Sequence, residues 1–562
     1  MASSTRLAAA TCFSIVSLPL FLPASERLRH LYPPKRVRDS AGMSASLAAR
    51  LDHAVNTLTR AYPGPGGAVA ALRNGEVLLR HAWGWANSER RIVFTPRTLF
   101  RMCSITKQFT CAVVLDACPD PSVLDADVRA RLPMLEQPAP GALHLCHNQS
   151  GLRDYWAVAM LYGSPVEAPF GDAEAARVIG GTRTLHFVPG TRHSYVNQNF
   201  RILSDIVQQR AGRSFAELLR TRVFDRAGMA TALLAADTTA MPDGTQGYEG
   251  TAAGGFRVAE NRILWTGDAG LGASLDDMIA WERHIDATRD DTDASYSRLS
   301  VPVTFGDGTP SAYGFGLNRA SELGRPVTAH GGALRGWRSH RLYVPSERVS
   351  VVVMFNHLSD AHQAAVDLLA AVLGEDRPPR PAPGPAPDWL GVYREPETGL
   401  SVRIEAAADG QVRLRYGHFP DLLDVNADGS ASSDSVQLRP RDGGLWMERP
   451  SENQSSRLIP CDGAAATDVA GRYHCAELDA ELTIADAGGV LYGGFSGFLG
   501  QGRMELLGPV GRDVWVLPCP RALDHTPPGD WTLAFRRDAA GRVTDVEVGC
   551  WLARRLLYVR VG

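Results

Sequence analysis

Two β-forming runs, residues 67–73 and 76–84, stand on either side of the dipeptide Asn74-Gly75. This turn chemistry between two strand-like runs predicts a β-hairpin. A helical pattern begins before it, near Leu47. Later in the chain, Val349–Phe355 has the composition of a buried strand, and Ala361–Leu373 has that of a helix.

Between these elements, apolar positions return with a helical rhythm that starts at Ser104 and includes Ile105, Phe109 and Val113. A mainly helical stretch is expected to about residue 235, followed by glycine-rich strands. Antiparallel strands at both ends with helices between them predict an α+β fold for residues 43–376.

A proline-rich segment, residues 377–388, follows as an extended linker. The tail after it contains two similar runs of period-two strands, which we assign to residues 389–466 and 467–562. Each run is long enough for a small antiparallel barrel, which has no exposed edges. The alternative is that both runs are meanders of one sandwich.

The charge and the cysteine content limit the kinds of binding partner that are expected. The formal net charge is −3, and no basic stripe or run of like charge is present. This pattern argues against nucleic acid or an anionic membrane surface and favours a small substrate. The nine cysteines are scattered without a Cys-x-x-Cys pair, so neither zinc nor a disulfide framework is expected.

Residues 1–42 are expected to lie outside the folded part. Residues 7–24 form a hydrophobic run that is too short and interrupted to span a membrane. We interpret them as an extension ahead of a start at Met43, which predicts a cytoplasmic protein. The alternative is a secretory signal within residues 1–25, which predicts a periplasmic one.

The chain contains only two lysines, Lys35 and Lys107, so 56 of its 58 basic residues are arginines. A lysine retained inside the folded part suggests a task that arginine cannot perform, which is losing a proton. Lys107 follows Ser104 by three residues, and on a helix these positions share one face. Ser104 and Lys107 are therefore the candidate nucleophile and base. The alternative is a helix-capping serine followed by a solvated lysine.

Tyr195-x-Asn197 follows the turn at Pro189-Gly190. In an extended or irregular segment this spacing points both side chains the same way. The phenol can relay a proton to a leaving amine, and the amide can orient Lys107 and a substrate carbonyl. Taken alone, the pair is more typical of a core tyrosine and a turn asparagine, so its significance depends on the other motifs.

His330-Gly331-Gly332 is expected to open a strand, where the glycines allow close approach of a substrate backbone. The backbone N–H of Ala333 can join that of Ser104 as an oxyanion hole. A turn with a satisfied histidine is the alternative.

Ser104-x-x-Lys107, Tyr195-x-Asn197 and His330-x-Gly332, in this order, resemble the motifs of the serine β-lactamase and penicillin-binding-protein superfamily. Secondary segments strengthen the resemblance, and they are Gln149–Leu152, Phe187–Gly190 and Tyr313–Gly316. More narrowly, the chain from Met43 resembles the bacterial D-stereospecific aminopeptidases. That similarity includes Cys103-Ser104, Gly332–Trp337 and Gly549–Arg554.

The resemblance implies a catalytic domain followed by two antiparallel eight-stranded barrels, without a cofactor or a metal ion. It also implies that a loop of the last barrel enters the active site and that Asp524 receives the substrate ammonium. The corresponding loop residues are Pro520, Arg521, Ala522, Leu523, Asp524, His525, Thr526, Pro527, Pro528 and Gly529. His330 stands where related enzymes carry a cation for a substrate carboxylate, and a histidine is mostly neutral at pH 7.

These observations predict a serine hydrolase that removes an N-terminal D-amino acid, such as D-alanine, from peptides, amides and esters. Ser104, Lys107, Tyr195 and His330 are the candidate catalytic residues, while Asn197, Ala333 and Asp524 are candidates for substrate binding. Two alternatives use the same core, namely a β-lactamase-like esterase or D,D-peptidase and a non-catalytic penicillin-binding sensor. The resemblance alone implies a homodimer.

Overall fold

An antiparallel sheet of eight strands organises the first part of the chain. The structure is a computed structural model that describes residues 44–375, 384–523 and 526–561, all of them in one compact unit. In spatial order the strands are Tyr313–Gly314, Leu317–Glu322, Arg325–Leu334, Trp337–Val344, Val349–Phe355, Gly66–Arg73, Glu76–Asn87 and Ile92–Val93.

The predicted hairpin is confirmed, since Gly66–Arg73 pairs antiparallel with Glu76–Asn87. Asn74 and Gly75 both have positive φ angles, 55° and 74°, as a tight hairpin turn requires. The other edge of Gly66–Arg73 pairs with Val349–Phe355. Every residue of Val349–Phe355 is buried. A strand covered on both faces explains its uninterrupted apolar sequence.

Helices cover both faces of the sheet. Ala45–Ala61 and Ala361–Leu373 pack on one face and bury Leu58 and Leu368 against Val351. The other α-helices of the catalytic part are Thr106–Ala117, Asp125–Arg131, Ala142–Cys146, Tyr155–Leu161, Asp172–Gly180, Asn197–Ala211, Phe215–Leu219, Asp225–Ala227, Leu275–Ala287 and Ser295–Leu299. Short strand pairs complete this part, and they are Phe100–Arg101 and Leu233–Leu234 on Leu271–Ala273, Tyr248–Thr251 on Gly255–Val258, and Val303–Thr304 on Pro310–Ser311.

Two details differ from the sequence-based expectation. Helices Leu275–Ala287 and Ser295–Leu299 lie in the region where only glycine-rich strands were predicted. Ser274 and Asp277 form a capping box that starts the first of them, a signal that the glycine content obscured. His330 lies within the strand Arg325–Leu334 and does not open it, because pairing to Leu317–Glu322 begins five residues earlier.

The first tail unit is a closed antiparallel barrel of eight strands. Its core is separate from that of the catalytic part and includes Val402, Leu414 and Met447. Its strands are Gly391–Arg394, Ser401–Ala406, Val412–Arg415, Asp421–Val425, Ala431–Ser432, Gln437–Arg441, Gly444–Arg449 and Gln454–Pro460. Residues 377–383 of the predicted linker lie outside the described residues.

The second tail unit is a ten-stranded antiparallel sheet curved as an open barrel. Its strands are Gly471–Cys475, Ala480–Asp486, Leu491–Gly497, Gly500–Gln501, Glu505–Leu506, Gly508–Gly511, Val514–Leu517, Trp531–Arg537, Val543–Cys550 and Ala553–Arg560. Glu505–Leu506 pairs with Leu491–Gly497, and after Leu507 the chain pairs with Val514–Leu517. A single strand bent at Leu507 thus spans both edges of the sheet, so the ten segments form nine strands, one of which is the two-residue Gly500–Gln501.

The second barrel shares a continuous apolar core with the helices of the catalytic part. The ring of Tyr162, after the helix Tyr155–Leu161, stacks edge-on to that of Phe498 at 4.5 Å. We call the turn Cys550–Ala553, between the last two strands, the tip hairpin. Among the described residues, every helix is too short or too polar to cross a membrane.

Candidate active site

A cleft of about 930 Å³ lies where the catalytic part and the two barrels meet. Every part of the fold contributes to its wall. The catalytic part supplies Ser104, Tyr195 and His330, the first barrel supplies Tyr416 and Glu452, and the second supplies Ala522 and Trp551. The cleft therefore brings together residues that are more than 400 positions apart in the sequence.

Ser104 lies in a single 3-10 turn, Cys103–Ile105, and the α-helix Thr106–Ala117 follows it. The predicted helix thus begins two residues later than Ser104. Cys103 has a positive φ of 54°, so the chain turns sharply just before the serine. Ser104 is partly exposed to the cleft, whereas Cys103 is fully buried and its Sγ donates to the carbonyl of Arg101.

Lys107 is fully buried, and its Nζ makes three short contacts. Nζ lies 3.0 Å from Ser104 Oγ, 2.9 Å from Asn197 Oδ1 and 2.8 Å from the carbonyl oxygen of Asp268. The amide and the carbonyl oxygens can only accept hydrogen bonds. A charged lysine donates to all three oxygens, whereas a neutral amine would give its two N–H groups to the amide and the carbonyl and would turn its lone pair towards the hydroxyl of Ser104.

The structure brings Tyr195 and Asn197 to this lysine, as the motif predicts. Asn197 begins the helix Asn197–Ala211, and Val196 before it is extended. The ring of Tyr195 lies 4.8 Å from Lys107 Nζ, close enough for a cation–π contact when the lysine is charged. Both side chains line the cleft with Ser104.

His330 is almost fully buried, and the protein binds both of its ring nitrogens. Nδ1 lies 2.6 Å from the carbonyl of Gly331 and therefore carries the proton, while Nε2 accepts from the hydroxyl of Tyr313 at 3.2 Å. Burial and the nearby Lys107 lower the pKa of His330 to about 3. The imidazole is neutral at physiological pH, so it cannot act as a cationic partner for a carboxylate.

Ala333 lies on the strand Arg325–Leu334, which packs against the turn that holds Ser104. Ser339, opposite Gly332 on the next strand, donates from its hydroxyl to the carbonyl of Met102 at 3.1 Å. This contact joins the sheet to the start of the serine turn. Ala333 and Ser104 line the same cleft, as the predicted oxyanion hole requires.

Two residues of the site, Asp268 and Asp154, were not predicted from the sequence. Asp268 contributes only its backbone carbonyl to Lys107, and its carboxylate accepts from the hydroxyl of Tyr155. Asp154 accepts from both the backbone and the side-chain N–H groups of Asn197. The available signal for Asp154 was its place directly before an apolar helical run, which is typical of a helix N-cap.

The loop of residues 520–529, which the resemblance places at the active site, does border the cleft. Ala522, Thr526 and Pro528 are among the lining residues, and Gly529 packs against Gly417 of the first barrel. Asp524 and His525 lie outside the described residues. The remaining residues of the predicted loop within the described chain are Pro520, Arg521, Leu523 and Pro527.

A buried cluster of charges closes the cleft on the side of the barrels. Arg449 pairs with Glu395 at 2.9 Å and with Glu452 at 3.2 Å, and Arg554 of the second barrel pairs with Glu452 at 3.3 Å. Trp551 of the tip hairpin also donates to Glu452, at 2.8 Å. The two arginines hold the pKa of Glu452 down to about 2 against the effect of burial. The cluster thus joins both barrels through ionised groups.

Within the described residues, no group of three or more His, Cys, Asp or Glu side chains is placed to hold a metal ion. The eight cysteines of this part are all free.

Two family models match the chain. Residues 51–375 match a model described as beta-lactamase, and residues 383–559 match one described as D-aminopeptidase, domain B. Together these matches cover the catalytic part and both barrels.

Known D-aminopeptidases are similar to this chain over most of its length. The D-aminopeptidase of Gluconobacter oxydans is 63% identical over 527 residues, which cover 92% of this chain and all of that protein. The D-aminopeptidase of Brucella canis is 47% identical, with 91% of this chain and 98% of that protein covered. Among solved structures, an octameric penicillin-binding protein homologue from Pyrococcus abyssi matches the fold with a TM-score of 0.50. It is 20% identical and covers 73% of this chain and 99% of its own.

Proposed function

Because this chain belongs to the D-aminopeptidase family, with the β-lactamase-like catalytic domain of that family, we propose that it hydrolyses an unblocked N-terminal D-amino acid from peptides, amides and esters. D-alanine and other small D-residues are the proposed acyl groups. The reaction passes through an ester of Ser104.

The observation that supports this chemistry best is the set of contacts around Lys107. Two of its three contacts are to oxygens without protons, so the third contact, to Ser104 Oγ at 3.0 Å, is the route for proton transfer. Ser104 Oγ attacks the carbonyl carbon while its proton moves to Lys107 Nζ. The developing oxyanion accepts from the backbone N–H groups of Ser104 and Ala333.

Breakdown of the tetrahedral intermediate requires a proton on the leaving amine. The hydroxyl of Tyr195, whose ring lies 4.8 Å from Lys107 Nζ, gives its proton to the leaving nitrogen and takes the serine proton from Lys107, after which the C–N bond breaks. Water then attacks the acyl-enzyme and gives a proton to Lys107. The ester bond to Ser104 Oγ breaks, Lys107 returns that proton to Ser104, and the free D-amino acid leaves.

Selectivity for a free amine follows from charge. The neutral His330 offers no cation for a substrate carboxylate. A substrate ammonium requires an anion instead, and we assign that role to Asp524. The loop that carries it borders the cleft on both sides of residues 524–525.

Release of p-nitroaniline from D-alanine p-nitroanilide tests the proposal. The L-enantiomer and N-acetyl-D-alanine p-nitroanilide are assayed beside it, and Ser104→Ala is the matched inactive control. We expect turnover of the free-amine D-compound alone. Equal turnover of the acetylated compound would favour the esterase or D,D-peptidase alternative. Covalent labelling by penicillin without turnover of any substrate would favour the sensor.

Peptide substrates follow from the aminopeptidase assignment, whereas the assembly of the chain is a separate proposal. We propose a homodimer, on the family resemblance alone. Light scattering coupled to size-exclusion chromatography measures the mass, and a species of one chain or of more than two chains contradicts the proposal.

A further inference from the structure

Asp154 has no exposed surface, and its carboxylate accepts three N–H groups. Oδ2 accepts from Asn197 N at 2.7 Å and from Asn197 Nδ2 at 3.0 Å, while Oδ1 accepts from Trp156 N at 3.0 Å. All three partners are donors, which is the pattern of an ionised carboxylate. One side chain therefore caps the helix Tyr155–Leu161 and holds the asparagine of the predicted site.

The contact with Asn197 determines which end of its amide faces the lysine. Because Asp154 binds Nδ2, Oδ1 must point the other way, and it lies 2.9 Å from Lys107 Nζ. A flipped amide would set its oxygen against a carboxylate and its NH₂ group against the lysine. Both contacts would then be repulsive or lost, so Asp154 selects the orientation that binds Lys107.

Asp154 is itself held by the second barrel. Its backbone N–H donates to the carbonyl of Leu552, in the tip hairpin, at 3.0 Å. The adjacent Arg153 donates from Nε to the carbonyl of Arg554 at 2.7 Å. An unbroken series of hydrogen bonds thus runs from Leu552 through Asp154, Asn197 and Lys107 to the nucleophile.

We propose that Asp154 is a positioning residue for Lys107, and that the tip hairpin of the second barrel holds it in place. The proposal rests on the proposed function, because it assumes that Lys107 takes the proton of Ser104. It also gives a role to Gly549–Arg554, one of the segments in which this chain resembles the D-stereospecific aminopeptidases.

The ionisation of the surrounding groups agrees with this arrangement. Burial raises the pKa of Asp154 to about 6, so the group is mostly a carboxylate at neutral pH. The titratable groups that face it are Lys107, Tyr155 on its own helix and Cys550 of the tip hairpin. Burial raises the pKa of both Tyr155 and Cys550, so they stay protonated when the carboxyl titrates. Below pH 6 a proton on Asp154 replaces one acceptor site with a donor.

Two variants separate positioning from helix capping. Asp154→Asn keeps the shape but replaces one acceptor oxygen by NH₂. Asp154→Ser keeps an oxygen that can cap Trp156 N, since serine and aspartate cap helices about equally well, but its short hydroxyl cannot also reach Asn197. For both variants we expect kcat per folded molecule to fall about 10–100-fold, with KM changed less than about threefold.

The control variant is Asp277→Asn. Asp277 is also a buried carboxylate, accepts from the backbone N–H groups of Thr231 and Ser274, and does not line the cleft. We expect it to lower the melting temperature while kcat per folded molecule stays within about twofold of the parent protein. Circular dichroism in the near ultraviolet gives the folded fraction of each variant.

A double-mutant cycle with Asn197→Ala tests the route of the effect. If Asp154 acts through Asn197, then adding Asp154→Asn to Asn197→Ala lowers kcat by no more than about twofold. The proposal is overturned if the double variant loses kcat by the product of the two single losses. It is also overturned if Asp154→Asn and Asp154→Ser both have the kcat of the parent protein. Should Asp154→Asn not fold, the cycle is run with Asp154→Ser.

Assays with two substrates, one with and one without a free amine, distinguish a failure of this inference from a failure of the proposed function. Each protein is assayed with D-alanine p-nitroanilide and with p-nitrophenyl acetate, which lacks an amine. If the parent protein hydrolyses only the ester, the aminopeptidase assignment fails, yet the cycle still tests Asp154. If Ser104→Ala retains the parent activity on both substrates, the proposed function and this inference fail together.

Discussion

Gly332 lies so close to Met102 that a Cβ at residue 332 would stand 2.3 Å from the carbonyl oxygen of Met102. The same Cβ would stand 2.3 Å from Ser339 Oγ and 3.1 Å from the Cβ of Cys103. Only glycine allows the strand Arg325–Leu334 to approach the serine turn this closely.

Gly332→Ala is therefore expected to push the strand and the serine turn apart. A shift of this kind near reacting atoms lowers kcat/KM by about 100-fold and destabilises the fold by about 1–3 kcal/mol. Gly331→Ala is the matched control, because its Cβ would lie no nearer than 3.4 Å to any neighbour, the first of which is His340 Nδ1. Kinetics and thermal melting of both variants check the prediction, and equal effects would contradict it.

Lys107→Arg keeps a positive charge and hydrogen-bond donors for Asn197 and Asp268, but a guanidinium does not accept a proton near neutral pH. We expect kcat to fall by about 1,000-fold or more, with the far-ultraviolet circular dichroism unchanged. Combining it with Ser104→Ala is expected to cost no more than either change alone, because the two groups act as a unit. A rate for Lys107→Arg within tenfold of the parent would refute the role of base.

Asp524→Asn tests the proposed ammonium site. Loss of the anion should raise KM for D-alanine p-nitroanilide by about 10–100-fold, which corresponds to about 1.4–2.8 kcal/mol. Hydrolysis of p-nitrophenyl acetate, which has no ammonium, should stay within about twofold. Asp530→Asn is the control, because Asp530 lies near the same loop but pairs with Arg403 of the first barrel. Equal effects at both positions would remove the assignment.

Buried histidines predict a loss of stability in mild acid. Burial lowers the pKa of five of them to about 3 or 4, and these are His147, His193, His330, His357 and His418. The unfolded chain takes up these protons near pH 6.5 while the native protein does not, so stability is complete above pH 6.5 and falls below it. Each group then contributes a loss of about 1 kcal/mol by pH 5.5.

Urea unfolding at pH 7.5 and at pH 5.5 measures that loss. His147→Gln removes one such group, so the difference in unfolding free energy between the two pH values should shrink by about 1 kcal/mol. His53→Gln is the control, because His53 lies on the exposed face of the helix Ala45–Ala61. A stability that is the same at both pH values would refute the assignment of neutral, buried imidazoles.

The charge cluster between the barrels predicts a strong effect of removing one partner. Glu395 is fully buried and pairs with Arg449, so Glu395→Gln leaves the guanidinium short of a counter-charge. We expect a destabilisation of about 3–5 kcal/mol in denaturant titrations. Glu397→Gln is the control, since its ion pair with Arg192 is exposed and worth about 0–1 kcal/mol. A loss below 1 kcal/mol for Glu395→Gln would contradict the expectation.

Local patterns predicted the parts of the molecule that depend on local geometry. The hairpin at Asn74-Gly75, the strand Val349–Phe355 and the helix Ala361–Leu373 were foreseen because turn chemistry and periodicity act over a few residues. The pairing of Ser104 with Lys107 follows from the helical offset of three positions in the same way.

Contacts that rely on distant chain segments were not foreseen. Asp268 binds Lys107 through a backbone carbonyl, a group that every residue has and that no side-chain pattern marks. Asp154 was recognisable as a helix cap, but its partner Asn197 lies 43 positions further along the chain. The bend at Leu507 and the mid-strand place of His330 likewise depend on which strands pair, and periodicity alone does not determine pairing.

The tip hairpin also makes enzyme activity depend on the complete second barrel. It joins the strands Val543–Cys550 and Ala553–Arg560, more than 400 positions after Ser104. A polypeptide released at residue 540 would contain Ser104 and Lys107 but lack the carbonyl that holds Asp154. If Asp154 positions Lys107 as proposed, such a truncated chain would be inactive although it retains the whole serine–lysine pair.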